Sequence, residues 1–170
     1  MRGADVADRT HVEEVYQAFA ARLAAQVYAL TGDFAEAQDI VHDAFARALA
    51  NPRRFTQLDN PQAWLRTVAV NLARSRLRRR KVFDRVVRRL PAEQAVPGVS
   101  PDHVELVRAL QRLPRTLREA VVLHHVADLP VTEVAEILGC SAGAVKNRLM
   151  RGRQQLAAQL AEPVKEPDHA

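Results

Sequence analysis

Apolar residues recur at three- and four-residue intervals through most of the chain, the spacing of helices that bury one face. Val12, Val15, Tyr16, Phe19, Leu23 and Val27 set this rhythm over residues 11–30, while residues 1–10 are polar and expected to be loose. Thr31-Gly32-Asp33 interrupts it, with Gly32 suited to a left-handed exit and Asp33 to capping the next helix. That helix, over residues 34–51, places Ala37, Ile40, Val41, Ala44, Phe45, Ala48 and Leu49 on one stripe. Asn51-Pro52 ends it and residues 53–60 read as a loop. Pro61 then suits the first turn of a helix reaching about residue 80, with Asn60 as its cap and Trp64, Leu65, Val68, Ala69 and Leu72 toward the core.

Beyond residue 90 the rhythm stops. Pro91, Pro97, Gly98 and Pro101 break residues 91–101, which read as a linker between a domain over residues 1–90 and a second over residues 102–162. The second domain opens with a helix carrying Val104, Val107, Leu110 and Leu113; Pro114 starts another with Leu117, Ala120, Val121 and Val122. Residues 130–160 then read as a short helix, a turn at Gly139-Cys140-Ser141 and a longer helix. Val134, Ala135, Leu138, Val145 and Leu149 let the two cross over a small shared core, and Ser141 suits the cap of the second. Residues 163–170, with Pro163 and Pro167, read as a disordered tail. The fold class expected is all-α: two small helical domains joined by a flexible linker.

Charge changes this picture more than composition does. Apolar residues at 48% with aromatics at 5% imply aliphatic cores. The net charge of +5 is unevenly spread: residues 65–90 carry ten basic side chains against one acidic, while residues 1–64 and 91–140 are each net −3. Residues 141–170 return to +2, with Lys146, Asn147, Arg148, Arg151 and Arg153 close together on the last helix. Two basic segments between acidic ones suggest two contacts with a polyanion. A helix-turn-helix whose second helix starts basic is built to enter a DNA major groove. On the helix over residues 61–80, Thr67, Asn71, Arg74, Ser75 and Arg78 share one exposed side, offering phosphate contacts and hydrogen bonds to bases. The polar face Asp39, His42, Asp43 and Arg47 reads either as solvated decoration or as a docking surface, and composition alone favours decoration.

Little points to catalysis. The glycines are isolated, no nucleophile–base spacing stands out, and the single cysteine, Cys140, sits in the turn as a small buried spacer. His124 and His125 are adjacent and face different sides of a helix, which suits a boundary better than a metal site. No cofactor or metal is expected. Neither a signal peptide nor an apolar run of membrane-spanning length is visible, so a cytoplasmic location with no membrane contact is the expectation.

Two stretches resemble one family, the extracytoplasmic-function (group IV) sigma factors of bacterial RNA polymerase. LTGDFAEAQDIVHDAFARALA at residues 30–50, with PQAWLRTVAVNLARSRLRRR at 61–80, looks like region 2 of the sigma-70 family. LQRLPRTLREAVVLHHVADLPVTEVAEILGCSAGAVKNRLMRGRQQL at residues 110–156 looks like region 4. The resemblance implies a non-enzymatic alternative sigma factor that binds core polymerase and recognises a two-part promoter. Asp39, Ile40, His42, Asp43, Phe45 and Arg47 would dock on the clamp helices of the β′ subunit. The loop over residues 55–60, represented by Phe55 and Asn60, with Asn71, Arg74, Ser75 and Arg78, would melt the −10 element and hold a flipped base. Lys146, Asn147 and Arg151 would read −35 bases, while Ser141, Arg148 and Arg153 would meet phosphates. The β flap and an anti-sigma factor are further partners that the resemblance implies, and the linker would run through the RNA exit path. The runner-up is a free-standing helix-turn-helix regulator. An enzyme acting on nucleic acid would need carboxylates near the basic surface, where residues 65–90 offer only Asp84.

The chain departs from the family pattern at three places. Pro130 stands where a capping Ser is frequent, so that helix start is expected to be capped by Asp128 or shifted. Lys146-Asn147 replaces a frequent Arg and Ser, and His124-His125 replaces a basic–aromatic pair.

Overall fold

The computed structural model describes residues 2–84 and 101–161, which form two compact units. The first holds four helices: α1 (Arg2–Thr31), α2 (Phe34–Ala50), α3 (Pro52–Thr56) and α4 (Pro61–Asp84). The helix boundaries follow local chemistry. Gly32 turns left-handed at φ 73°, and the Asp33 carboxylate accepts the Glu36 N–H at 3.0 Å to cap α2. Asn51 caps α3, accepting from the Arg54 N–H at 3.4 Å, and Asn60 caps α4, accepting from Ala63 at 3.0 Å.

Phe19, Leu23, Val27, Ile40 and Leu65 meet at the centre of this unit, all fully buried. Each such side chain contributes roughly 1.5–3 kcal/mol relative to exposure. Four expectations need correction here. α1 begins at Arg2 rather than at residue 11, because its first turns lie along α3: Arg53 pairs with Asp8 at 3.9 Å, and the His11 and Phe55 rings are 6.2 Å apart. Residues 53–60 are not all loop, since Asn51 and Pro52 that end α2 also start α3. Leu49 stands exposed at the end of α2 rather than in the core. In α4 the buried stripe runs through Leu65, Ala69, Val70 and Ala73, with Trp64, Val68 and Leu72 half-buried, because the helix faces both α1 and α2.

The second unit comprises α5 (Pro101–Arg112), α6 (Arg115–Val121), a π-helical turn (Val122–Val126), α7 (Val131–Leu138) and α8 (Ala142–Ala161). Val107, Leu110, Leu123, Val134 and Val145 fill its core. Arg118 and Glu119 also enter it. The Arg118 guanidinium donates to the Gln111 side-chain oxygen at 2.6 Å, and burial lowers its pKa, opposed by Glu119 and reinforced by Arg115. α6 packs on α8, where Gly152 lets the two backbones approach. Asp128 does not cap α7. It takes a left-handed φ of 56°, and α7 starts from Pro130 without a side-chain cap. His124 braces this corner: its Nδ1–H donates to the Leu129 carbonyl at 2.7 Å, since a carbonyl can only accept. Gly139 turns left-handed at φ 63°, and Cys140 N–H returns to Ala135 O at 3.0 Å, closing α7. Cys140 itself is half-buried rather than buried. The expected linker core and tail lie outside the described residues.

Candidate nucleic-acid interface

α8 explains its own polarity. Val145, Leu149 and Gly152 form its buried edge against the unit. At helical spacing, Asn147 and Gln154 project from the opposite side, flanked by Met150 and Arg151, while Lys146 stands at the edge beside Arg153; all five of these outer residues, Lys146 included, are exposed. Arg148, half-buried, and Arg153, exposed, lie nearer the two edges of the buried stripe. The side chains furthest from the protein are therefore the ones able to reach the floor of a groove, and the edge arginines suit its phosphate walls. Ser141 caps the helix: its Oγ accepts the Ala144 N–H at 3.1 Å and keeps its own proton to donate. Met150, 48% exposed, and Gln154 extend the face beyond the residues expected from sequence. Their spacing from Asn147 and Arg151 was the available signal.

The outer stripe of α4 is similar in kind. Asn71 and Arg78 are exposed and Arg74 and Ser75 half-buried, on the side away from Leu65, Ala69 and Ala73. Three other arginines of the basic segment are placed differently. Arg66 is buried, its Nε 3.4 Å from the Gln26 side-chain oxygen and its guanidinium 5.6 Å from the Phe19 ring centre. It is a core cation and not part of a DNA surface. Arg76 donates to Asp43 at 2.5 Å and Arg80 to Asp33 at 3.1 Å.

Two residues expected at the −10 element have structural work. Phe55 is 2% exposed and set edge-on to Trp64 at 5.7 Å, so its ring is not available to a base. Asn60 is exposed, but its side-chain oxygen is occupied in capping α4. Thr56, Gln57 and Asp59 form the exposed part of that loop. On α2, Asp39, His42, Asp43 and Arg47 are exposed, whereas Ile40 and Phe45 are buried. Both belong to the apolar stripe of α2 and support the polar face from beneath. Phe45 packs edge-on to Tyr16 at 4.9 Å, and Tyr16 stacks near His42 at 6.5 Å.

Among the described residues no helix is long and apolar enough to cross a membrane, and no cluster of three metal-ligating side chains occurs. Residues 15–82 match the family described as Sigma-70 region 2, and residues 103–156 match Sigma-70, region 4. The chain is 36% identical over 142 residues to the ECF RNA polymerase sigma factor EcfG of Rhodopseudomonas palustris, across 81% of this chain and 78% of that one. It is 30% identical over 155 residues to the ECF sigma factor SigW of Bacillus subtilis, across 79% and 81%. A solved relative is the sigma factor RpoE of Bartonella quintana, crystallised with the anti-sigma factor NepR; it matches 91% of this chain at 26% identity with a TM-score of 0.74, over 98% of its own length. Both halves and the order between them agree, and the chain belongs to the ECF RNA polymerase sigma factors of the sigma-70 family, alternative sigma factors that direct promoter-specific transcription.

Proposed function

We propose that the exposed face of α8 reads the −35 element as duplex DNA and that the outer stripe of α4 engages the −10 element as it melts. The observation that carries this reading is the exposure of Lys146, Asn147 and Arg151 on α8, with Asn147 and Arg151 on the side away from the buried stripe and Lys146, Arg148 and Arg153 nearer its edges. Arg or Lys pairs with guanine and Asn with adenine, each good pairing giving roughly 1–3 kcal/mol of discrimination. Met150 adds an apolar contact suited to a thymine methyl. Ser141, Arg148 and Arg153 meet phosphates and set the register of the helix.

In the first domain, residues 1–90, Asn71, Arg74, Ser75 and Arg78 face the opened strand, with the loop over residues 56–59 at the start of the same helix. An extruded base costs a few kcal/mol of stacking, which amide and hydroxyl hydrogen bonds offset. Asp39, His42, Asp43 and Arg47 form the docking surface for the β′ clamp helices of core polymerase, supported by Ile40 and Phe45. Region 4, within residues 102–162, rests on the β flap, and residues 91–101 thread the RNA exit path. The chain acts by binding, without catalysis, in the cytoplasm where polymerase and promoter are. An anti-sigma factor is the inferred negative partner, as NepR is for its solved relative. Run-off transcription with purified core polymerase tests the whole reading. Promoter-specific initiation is expected only when this chain is added. Sequence-specific duplex binding without any polymerase-dependent initiation would favour the free-standing regulator instead.

A further inference from the structure

Four of the arginines of α4 divide by helical position into two pairs. Asn71, Arg74, Ser75 and Arg78 occupy the outer side, whereas Arg76 and Arg80, one turn apart, lie on the side that faces α2. Their partners follow in the reverse order along α2. α2 presents Asp33 and Glu36 at its start and Asp43 two turns later, and α4 runs past it in the opposite sense, so Arg80 meets the first pair and Arg76 meets Asp43. Arg80 Nη2 lies 3.1 Å from Asp33 Oδ2 and 3.3 Å from Glu36 Oε2. Asp33 serves twice: its Oδ1 caps α2 while its Oδ2 holds Arg80. Glu36 is largely sequestered, at 14% exposure. A guanidinium fixed between two carboxylates is charge-compensated and already hydrogen-bonded, which is a poor state in which to approach a phosphate.

We infer that Arg76 and Arg80 are positioning residues for promoter opening: they lock the DNA-facing helix α4 in register on the polymerase-docking helix α2 and make no contact with DNA themselves. This rests on the assignment of the outer stripe of α4 to DNA. The lock joins the two tasks of region 2, because its carboxylates sit on the helix that docks on polymerase and its cations on the helix that meets the promoter.

The test uses reconstituted holoenzyme and a promoter fragment that it selects from a random pool. Three quantities are read: core-polymerase affinity, the salt dependence of promoter binding, and the fraction of open complex by permanganate reactivity. Arg78→Ala should lower the slope of log affinity against log salt by roughly one, as expected for one lost phosphate contact. Arg80→Ala should leave that slope and core affinity unchanged, yet reduce open complex by roughly threefold, the scale of losing a paired surface network. Glu36→Gln removes one arm of the lock and no cation, and should also reduce open complex with the salt slope unchanged. It is made at Glu36 because Asp33 also caps α2 and Asp43 lies on the docking surface. A slope lowered by Arg80→Ala as much as by Arg78→Ala would make Arg80 a phosphate contact and overturn the inference. So would open complex left unaltered by Arg80→Ala, or by Glu36→Gln in a protein whose Trp64 unfolding midpoint is normal. If Arg78→Ala and Asn71→Ala both leave promoter binding and opening untouched, the DNA assignment of α4 fails, and the inference with it. Should Arg80→Ala unfold the domain, the opening and salt slope of Glu36→Gln alone still decide the question.

Discussion

Gly152 is the position at which one methyl group should change how α8 is held. It lies within α8 with a helical neighbour on each side, where glycine costs about 0.8–1 kcal/mol against alanine. An alanine there would ordinarily stabilise. In this structure, a Cβ on residue 152 would lie 2.6 Å from Val121 Cγ2, with Leu117 Cβ and Leu117 O at 3.8 Å behind it. Val121 is 4% exposed and its β-branch leaves it few rotamers, so relief requires α8 to move away from α6. Overpacking of this kind costs about 1–3 kcal/mol, and subtracting the helix-propensity gain leaves a net loss of about 1 kcal/mol, with about 2 as the upper end. Gly143→Ala provides the control, because the nearest atom to a Cβ there is Ser141 Oγ at 3.9 Å, an ordinary contact.

The chain allows the two units to be followed separately. Its one tryptophan and both tyrosines, Trp64, Tyr16 and Tyr28, all lie in the first unit. Urea unfolding by Trp64 fluorescence therefore reports the first unit, while far-ultraviolet circular dichroism reports both. Gly152→Ala should move only the dichroism transition, downward, and Gly143→Ala should not. Adding Val121→Ala to Gly152→Ala should cost less than the two single changes together, with a coupling of about 1 kcal/mol. A Gly152→Ala protein stabilised as much as Gly143→Ala, or one whose Trp64 transition shifts equally, would refute the close-approach argument.

Four further outcomes are expected. Asn71→Ala should reduce permanganate-reactive open complex while core-polymerase affinity stays near normal; equal loss of both would mean a folding defect. Lys146→Ala or Arg151→Ala should relax −35 sequence selection, and Arg148→Ala should weaken all sequences alike, as binding-site selection with each holoenzyme would report. Ser141→Ala should cost about 1 kcal/mol through the lost α8 cap; Ser141→Asp should retain the cap but weaken promoter binding, by placing a negative charge where a phosphate is met. The pKa of His125 lies below the ordinary 6.5, owing first to partial desolvation of its exposed ring, then to His124 and Arg153, so the unfolded chain binds its proton more readily than the folded one. Its contribution to stability is whole above pH 6.5 and is lost as pH falls through 6.5 toward the lower folded value, so His125→Gln should shrink the parent's loss of thermal stability between about pH 8 and about pH 5.

The helical framework was readable because each helix is bracketed by residues with a local reason to be there. Gly32, Asp33, Asn60, Gly139 and Ser141 mark ends through backbone and capping chemistry that needs no tertiary information. The misses lie where tertiary contacts decide. The polar start of α1 has no apolar rhythm of its own and is helical alongside α3, through Asp8–Arg53 and His11–Phe55. Asp128 looked like a cap because capping depends on residue type, but it stands at a left-handed corner set by the π-turn and the His124–Leu129 bond.

The candidate site was harder to read for a different reason: charge counted along the chain is not charge on a face. Residues 65–90 carry ten basic side chains, which as a block describe one polyanion-binding segment. On α4 three of those arginines do other work: Arg66 sits in the core on Phe19 and Gln26, and Arg76 and Arg80 are held by carboxylates of α2. The same holds on α2, where Ile40 and Phe45 lie within the segment that resembles a docking helix but on its apolar stripe. Position around the helix separates these roles wherever one buried residue fixes the orientation. With Leu65 and Ala69 inward, Asn71 and Arg78 must point out and Arg80 must turn back toward the body of the unit. On α8, inward Val145 and Leu149 place Asn147 furthest out by the same geometry and bring in Met150 and Gln154. A basic segment therefore overstates the phosphates that its helix can neutralise, and the salt dependence of promoter binding should follow the outward arginines rather than the total.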